Sequence, residues 1–185
     1  MRGWELYPGF SSGSGGREKG GCKEPKDHAL GRSRGGFGSK LHLVSDGHGI
    51  PLAAHVTAGQ AHESKYFEGI VNRVKIRQPM GRPRTRPVSI AGDKAYSLPR
   101  IRSWLRRHAI RAVIPRRLDQ RPEDGRMSFD LNTYRKRSAV EQCIGWLKEC
   151  RHLATRFDKL AVNFLAMIHL AFIERYLRIP FSDGA

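Results

Sequence analysis

The feature that most constrains this fold is a succession of short apolar segments whose periodicity changes along the chain. Polar and apolar residues alternate over 39–45 and again over 50–57, with the turn residues 46–49 between them. Such alternation predicts two half-buried strands joined as a hairpin. Four further segments follow, in the order helix, strand, helix and strand, at residues 62–75, 88–92, 98–108 and 110–114. This order predicts an α/β fold with flanking helices, and Ser97 is the predicted cap of the second helix.

Two long helical patterns end the sequence. Asp130 can cap a helix over 130–151, whose apolar residues recur at helical spacing. The last segment, about 160–178, is apolar nearly all round, which predicts a buried core helix. Residues 8–38 are rich in Gly, Ser and charge, and residues 116–128 are charged, so both stretches are predicted to be loops.

Charge narrows the class of partner. The formal net charge is +17, from 34 Lys and Arg residues against 17 Asp and Glu residues. Two runs contain no acid: residues 73–86 carry six cations and residues 100–117 carry seven. A solvated face explains one such run, but two favour nucleic acid over a membrane surface. The sequence has neither a long apolar stretch nor an apolar leader, which predicts a cytoplasmic, nucleoid-associated protein without a membrane partner.

Two polar features accompany the apolar pattern. Asp93 follows the strand at 88–92 directly, at a position where α/β folds place carboxylates that meet ligands. On the helix after Asp130, a stripe about 60° wide at 100° per residue flanks the apolar face. The stripe consists of Tyr134, Arg137, Glu141 and Lys148. A turn-initiating aspartate and an Arg137–Glu141 ion pair at i, i+4 also explain these features when each is taken alone.

Taken together, these residues resemble bacterial insertion-sequence transposases of the Asp-Asp-Glu class. The helical stripe has the spacing Tyr-x2-Arg-x3-Glu-x6-Lys, and residues 91–97 resemble the family's second-aspartate motif. Residues 31–36, 57–61 and 156–161 resemble other stretches of the family, and the likeness covers roughly 20–178. The resemblance implies a ribonuclease-H-like mixed sheet, DNA cleavage and strand transfer, and double-stranded DNA at the element ends as the partner.

The resemblance also implies roles for individual residues. Asp93 takes the role of the second aspartate and Glu141 that of the glutamate, and both would hold Mg²⁺ or Mn²⁺ in two-metal chemistry. Tyr134, Arg137 and Lys148 match positions that contact DNA phosphates and support the site. Such contacts suit two cations and an aromatic hydroxyl.

The family's first aspartate has no counterpart in this sequence. In the family it lies on the first core strand, which is central between the hairpin and the strand before the second aspartate. Residues 1–7 stand there without an aspartate. Glu5 is the nearest carboxylate, whereas Asp27 falls in the predicted loop and Asp46 in the hairpin turn, so neither fits the position.

We therefore expect a sheet that lacks the first core strand unless residues 4–7 take its place, with a flexible segment over 1–38 and a catalytic-core fragment over 39–180. The chain would be the C-terminal part of a transposase, inactive or impaired alone, that works with further copies or with an intact transposase. A non-catalytic DNA-binding protein that interferes with an intact transposase is the alternative. An RNA-binding protein of the ribosomal kind is a third reading, which the apolar last helix and the spaced polar stripe disfavour.

Overall fold

The computed structural model describes residues 5–14, 26–33, 36–117 and 129–182. Within these ranges the strands are β1 (Glu5–Ser14), β2 (Gly31–Ser33), β3 (Gly36–Ser45), β4 (Pro51–Ala58), β5 (Ser89–Ala91) and β6 (Arg111–Val113). The α-helices there are α1 (Phe67–Val71), α2 (Pro99–Arg107), α3 (Leu131–Arg135), α4 (Ser138–Glu149), α5 (Arg151–Thr155) and α6 (Ala161–Ser182). Short 3₁₀ helices span Lys26–His28, Glu63–Lys65 and Lys94–Tyr96.

The strands form one mixed sheet with β1 near its centre. β3 runs antiparallel to β1, and its other edge pairs with β4 and β2. On the opposite side, β5 is parallel to β1 and β6 is parallel to β5. The resulting order, β4–β3–β1–β5–β6, has helices packed against it and is ribonuclease-H-like, as the resemblance implied. The predicted hairpin is also confirmed, since His42 of β3 lies opposite His55 of β4.

The presence of β1 corrects the prediction that the first core strand is lacking. Residues 7–14 pair with 38–45 of β3, so the predicted loop over 8–38 is wrong for β1, and it is also wrong for β2. Glycine, serine and proline dominate β1 and have low strand propensity, and proline cannot donate to a ladder. Pairing on both sides of β1 overrides that local preference, and Leu6 and Tyr7 anchor the strand because both are fully buried.

Several predicted segments lie partly outside the described residues. The structure does not describe residues 1–4, 15–25 and 34–35, nor residues 118–128, which make up most of the predicted charged loop. The division into a flexible segment over 1–38 and a core over 39–180 therefore stays a prediction. The strands β1 and β2 nevertheless belong to the same sheet as β3.

Alternate residues of the central strands pack against opposite faces of the sheet. Tyr7 and Leu43 belong to a buried cluster with side chains of α4, α5 and α6. Leu6, Val44 and Ile90 belong to the cluster formed with α1 and α2. The face of a β1 residue therefore decides which helices it meets.

The first two predicted helices begin and end differently from the prediction. The pattern over 62–75 yields only the 3₁₀ helix Glu63–Lys65 and α1, and the chain then becomes extended where Ile76 forms an antiparallel bridge with Arg84. Ser97 is not the cap of α2. Leu98 precedes the first turn in the extended conformation that a following proline imposes.

The helix predicted over 130–151 is divided into α3, α4 and the start of α5. Asp130 caps α3 as predicted, because its Oδ1 accepts a hydrogen bond of 2.9 Å from the Thr133 N–H. The chain then tightens: the Arg137 N–H donates to the Tyr134 carbonyl, and the Val140 N–H donates to the Arg137 carbonyl. These i to i+3 bonds are of the 3₁₀ type and separate α3 from α4.

The last helix is only partly buried, contrary to the prediction. Phe164, Ile168 and Phe172 of α6 lie in the core, whereas Leu170 and Leu177 are exposed. The reason is geometric, since α6 packs mainly against β4 and α5, which leaves one of its sides open in this chain. Among the described residues, no helix combines the length and apolarity that crossing a membrane requires.

Candidate functional site

Asp93 lies where β5 leaves the sheet. All three residues of β5 are buried, and Asp93 follows after Gly92 with an extended backbone. Its Oδ1 accepts a hydrogen bond of 2.9 Å from the Ala95 N–H and so caps the 3₁₀ helix Lys94–Tyr96. One carboxylate oxygen therefore holds the turn, and the half-buried side chain stands at the carboxyl end of a central parallel strand. The structure thus combines the turn-forming interpretation of Asp93 with a position suited to ligand contact.

A second acidic residue lies near this turn. The 3₁₀ helix Glu63–Lys65 contacts the 3₁₀ helix Lys94–Tyr96. Burial raises the pKa of the Tyr96 hydroxyl, and the negative charges of Asp93 and Glu63 raise it further. Both carboxylates therefore act on the same phenol.

Lys40 keeps Glu63 ionised. Burial opposes the charge of Glu63, but the Lys40 ammonium donates a hydrogen bond of 2.6 Å to its Oε1 and holds the pKa of Glu63 below its ordinary value. Lys40 also donates to the Ala61 carbonyl at 2.9 Å. Sequence reasoning missed this pair, although a lysine in an alternating strand and an acid soon after the family-like stretch 57–61 were available signals.

The predicted stripe of α3 and α4 is a chain of contacts at its N-terminal end. The Arg137 guanidinium lies 5.6 Å from the centre of the Tyr134 ring, and its Nη1 is 2.6 Å from Glu141 Oε1. Glu141 is 56% exposed, and Lys148 is exposed two turns further along α4. The structure therefore brings Tyr134, Arg137 and Glu141 together, while Lys148 contacts none of them.

The position on β1 that faces this site is a glycine. Leu6 pairs with Ile90 in the parallel ladder, and a Cβ added at Gly92 would lie 3.5 Å from Pro8 Cγ. Extending the register three residues beyond Leu6 and Ile90 brings Gly9 level with Asp93. A Cβ added at Gly9 would lie 2.8 Å from Val140 Cγ2, directly before Glu141 on α4.

Glu5, the nearest carboxylate in the sequence, lies at the other end of the parallel strands, opposite Ser89. Its carboxylate accepts hydrogen bonds from the Tyr7 hydroxyl at 2.7 Å and the Thr133 hydroxyl at 3.2 Å. The cations of Lys136 and Arg111 lie 3.8 and 3.9 Å away. Glu5 is therefore held in a structural network away from Asp93.

The residues present do not fit a pair of catalytic metal ions. Among the described residues, no group of three or more His, Cys, Asp or Glu side chains could hold a metal ion. Asp93 and Glu141 are available carboxylates, but Gly9 contributes no ligand, and a charge deficit of this kind weakens divalent-cation binding.

The two basic runs of the sequence have different fates in the fold. In the second run the guanidinium groups of Arg100, Arg102 and Arg111 are engaged internally, with the Ser64 carbonyl, the Ile114 carbonyl and Asp130 respectively. In the first run five cations, Lys75, Arg77, Arg82, Arg84 and Arg86, form no ion pair with any described residue. These five cations of the first run are therefore available to a partner, whereas Arg73 of the same run donates to the Ala54 carbonyl.

Comparisons with known proteins give two results. A family model described as the transposase DDE domain matches residues 18–173. A protein of Burkholderia cepacia described as a transposase for insertion sequence element IS402 is 34% identical over 138 residues. That alignment covers 74% of this chain and 59% of the relative, so the chain spans about three fifths of the relative's length.

Proposed function

This chain belongs to the transposase DDE-domain family, and from that premise we propose that it binds the duplex ends of an insertion element during DNA transposition. We further propose that the chain alone neither cleaves nor joins DNA. It would act on chromosomal DNA, in the cytoplasm.

One observation carries the proposal. By extension of the β1–β5 register Gly9 is level with Asp93, and a Cβ added at Gly9 would meet Val140, the residue before Glu141 on α4. Two-metal phosphoryl transfer needs carboxylates that hold both ions. A glycine at this position supports a site with too few ligands, while the fold and the cationic surface remain suited to DNA.

The roles of the other residues follow from their surroundings. Asp93 and Glu141 are the proposed ligands of a single, weakly held Mg²⁺ or Mn²⁺ ion. When bound, the ion would supply only local positive charge toward a phosphate. Arg137 sits between Tyr134 and Glu141, so it can orient both, and Lys148 extends the cationic edge of α4. Tyr134, Arg137 and Lys148 are the proposed phosphate contacts.

The same observation favours a second role. A protein that binds element ends without cutting them occupies sites that an intact transposase needs. Such a chain would interfere with the active enzyme, either by competing for the ends or by joining a mixed oligomer with it.

The test measures binding and cleavage on one labelled duplex that carries the element's terminal sequences. We expect the chain to bind the duplex, with log affinity falling against log salt at a slope of about −4.5 if five phosphates are neutralised. We expect no nicking with Mg²⁺ or Mn²⁺ present. Asp93→Asn is the control for nicking, and without divalent cations it should bind the duplex like the parent chain.

Two results would contradict the proposal. Binding that does not respond to salt would remove the role of the cationic surface. Metal-dependent nicking by the parent chain that disappears in Asp93→Asn would show that the chain is catalytically complete.

A further inference from the structure

Residues 75–86, here called the basic hairpin, form an excursion from the sheet between α1 and β5. Its two limbs meet once, where Ile76 and Arg84 exchange backbone hydrogen bonds of 2.9 and 2.8 Å. Beyond that bridge the limbs are joined by residues 77–83, and Val74 and Pro87 are buried at the base. The hairpin is thus anchored in the core at its base and open to solvent at its tip.

All charged side chains of the basic hairpin are cationic, and no charged or hydrogen-bonded partner within the described residues engages them. Lys75, Arg77, Arg82, Arg84 and Arg86 carry five positive charges in twelve residues, and no acid interrupts them. Within the described part of the chain, none of the five forms an ion pair or donates a side-chain hydrogen bond. Like charges this close repel one another, and a polyanion relieves that repulsion.

Two prolines restrict the backbone at the tip of the basic hairpin, and a glycine turns it. Pro79 and Pro83 fix their own backbone angles and hold the residues before them extended. Gly81 turns the chain at a φ of +90°, with no other atom within 4 Å of the position of its missing Cβ. Met80 is 90% exposed, the largest exposure among the large hydrophobic side chains of the described residues.

We propose that the basic hairpin is a minor-groove arm that inserts Arg82 into A·T-rich duplex DNA. The inference rests on the proposed DNA binding and assigns it a groove and a segment. The minor groove is about 6 Å wide and suits an extended loop. The major groove admits a two-stranded ribbon, but a single bridge pairs the two limbs of the hairpin too little to form one. A·T pairs present only acceptors there, which match an arginine, and apolar residues such as Met80 commonly wedge at such sites.

The position of the hairpin fits a flanking contact. It leads into the amino end of β5, whereas Asp93 follows the carboxyl end. DNA gripped by the hairpin would therefore be held away from the carboxylates. This separation predicts that hairpin substitutions change affinity and base preference without altering cation binding at Asp93.

The test uses the full chain and two duplexes of equal length, one with a central A·T tract and one with G·C pairs there. Arg82→Ala is compared with Arg107→Ala, which removes the same charge from an exposed position on α2. We expect Arg82→Ala to lose about tenfold in affinity for the A·T duplex and much less for the G·C duplex. Arg107→Ala should lose the same small factor on both duplexes. Netropsin, which fills A·T minor grooves, should displace the parent chain.

Three outcomes would overturn the inference. Equal losses of affinity in the two variants, with an unchanged A·T preference, would contradict the minor-groove arm but not the proposed DNA binding. Netropsin without effect would exclude the minor groove. Tighter binding to duplex RNA, or no binding to either DNA duplex at low salt, would overturn the arm together with the proposed function.

Discussion

The register between β1 and β5 decides which side chain of β1 can reach Asp93. Glu5 is the nearest carboxylate in the sequence, yet it pairs opposite Ser89 and holds Tyr7 and Thr133 instead. Gly9 is the residue level with Asp93. The family resemblance predicted roles for Asp93 and for the stripe of α3 and α4, because local sequence patterns carry it. Register between strands far apart in the chain is not a local pattern, so the importance of Gly9 could not be predicted.

Manganese binding distinguishes the two carboxylates of the site from Glu5. If Asp93 and Glu141 share one ion, the parent chain should bind Mn²⁺ weakly, on the order of millimolar, because too few ligands are present. Asp93→Asn and Glu141→Gln should each abolish that binding, and Glu5→Gln should retain it. Electron paramagnetic resonance of free Mn²⁺ measures all four chains. Parent-like binding in both site variants would reduce Glu141 to the partner of Arg137.

At the scale of elements, Arg156 joins three parts of the fold. Its side chain is 4% exposed and donates to the His28 carbonyl at 2.6 Å, to the Ser39 hydroxyl and to the Lys159 carbonyl at 3.2 Å. It also lies over the Phe164 ring, 5.0 Å from the ring centre. These contacts of Arg156, here called the clamp, connect β3, the 3₁₀ helix Lys26–His28 and the start of α6.

Replacing Arg156 by lysine should destabilise the protein. A lysine keeps the charge but cannot reach several acceptors with one planar group, so buried carbonyls lose partners. We expect the free energy of unfolding in urea to fall by about 2–3 kcal/mol. Arg151→Lys, at an exposed position on α5, is the matched control and should change it by less than about 0.5 kcal/mol. Equal stabilities of the two variants would contradict the clamp.

The β3–β4 hairpin should make stability depend on pH. Burial, together with the charges of His55 and Lys40, lowers the pKa of His42 to about 4, and Glu63 partly offsets this shift. The unfolded chain binds this proton near pH 6.5 and the folded chain only near pH 4. As pH falls from about 6.5 to about 4, protonation therefore stabilises the unfolded state relative to the folded state. Stability from this group is therefore complete above that window and is lost within it, by on the order of 3 kcal/mol.

Urea unfolding of the parent chain and of His42→Gln across this window measures the effect. Glutamine can still meet the Thr57 hydroxyl, which lies 2.8 Å from His42 Nε2, but it does not titrate. The stability difference between the two chains should shrink as pH falls toward 4. Parallel pH profiles would assign the acid sensitivity to other groups.

The predicted elements succeeded where a local pattern had one meaning. Alternation located β3 and β4, and Asp130 with its helical spacing located α3 and α4. The pattern misled for β1, where pairing on both sides outweighs a composition of glycine, serine and proline. The pattern misled again for α6, because β4 and α5 cover only part of its apolar surface.

At the scale of the whole molecule, the fold divides a charge that the sequence presents as two similar runs. Contacts with backbone carbonyls and acids occupy Arg100, Arg102 and Arg111, whereas four of the five cations of the basic hairpin are exposed and Arg84 is half-buried. Composition predicted a polyanionic partner, because net charge acts over the whole surface. Only the fold distinguishes the arginines that make internal contacts from those that stay available to the proposed DNA partner.

Manganese titration of Gly9→Asp in a Val140→Ala background tests most directly whether β1 lacks a metal ligand. The Val140→Ala change makes room, because a Cβ at Gly9 lies 2.8 Å from Val140 Cγ2, and Val140→Ala alone is the control. We predict that the double variant binds Mn²⁺ about tenfold more tightly than this control, since a third carboxylate joins Asp93 and Glu141. Equal affinities in two folded variants would contradict the placement of the missing ligand at Gly9.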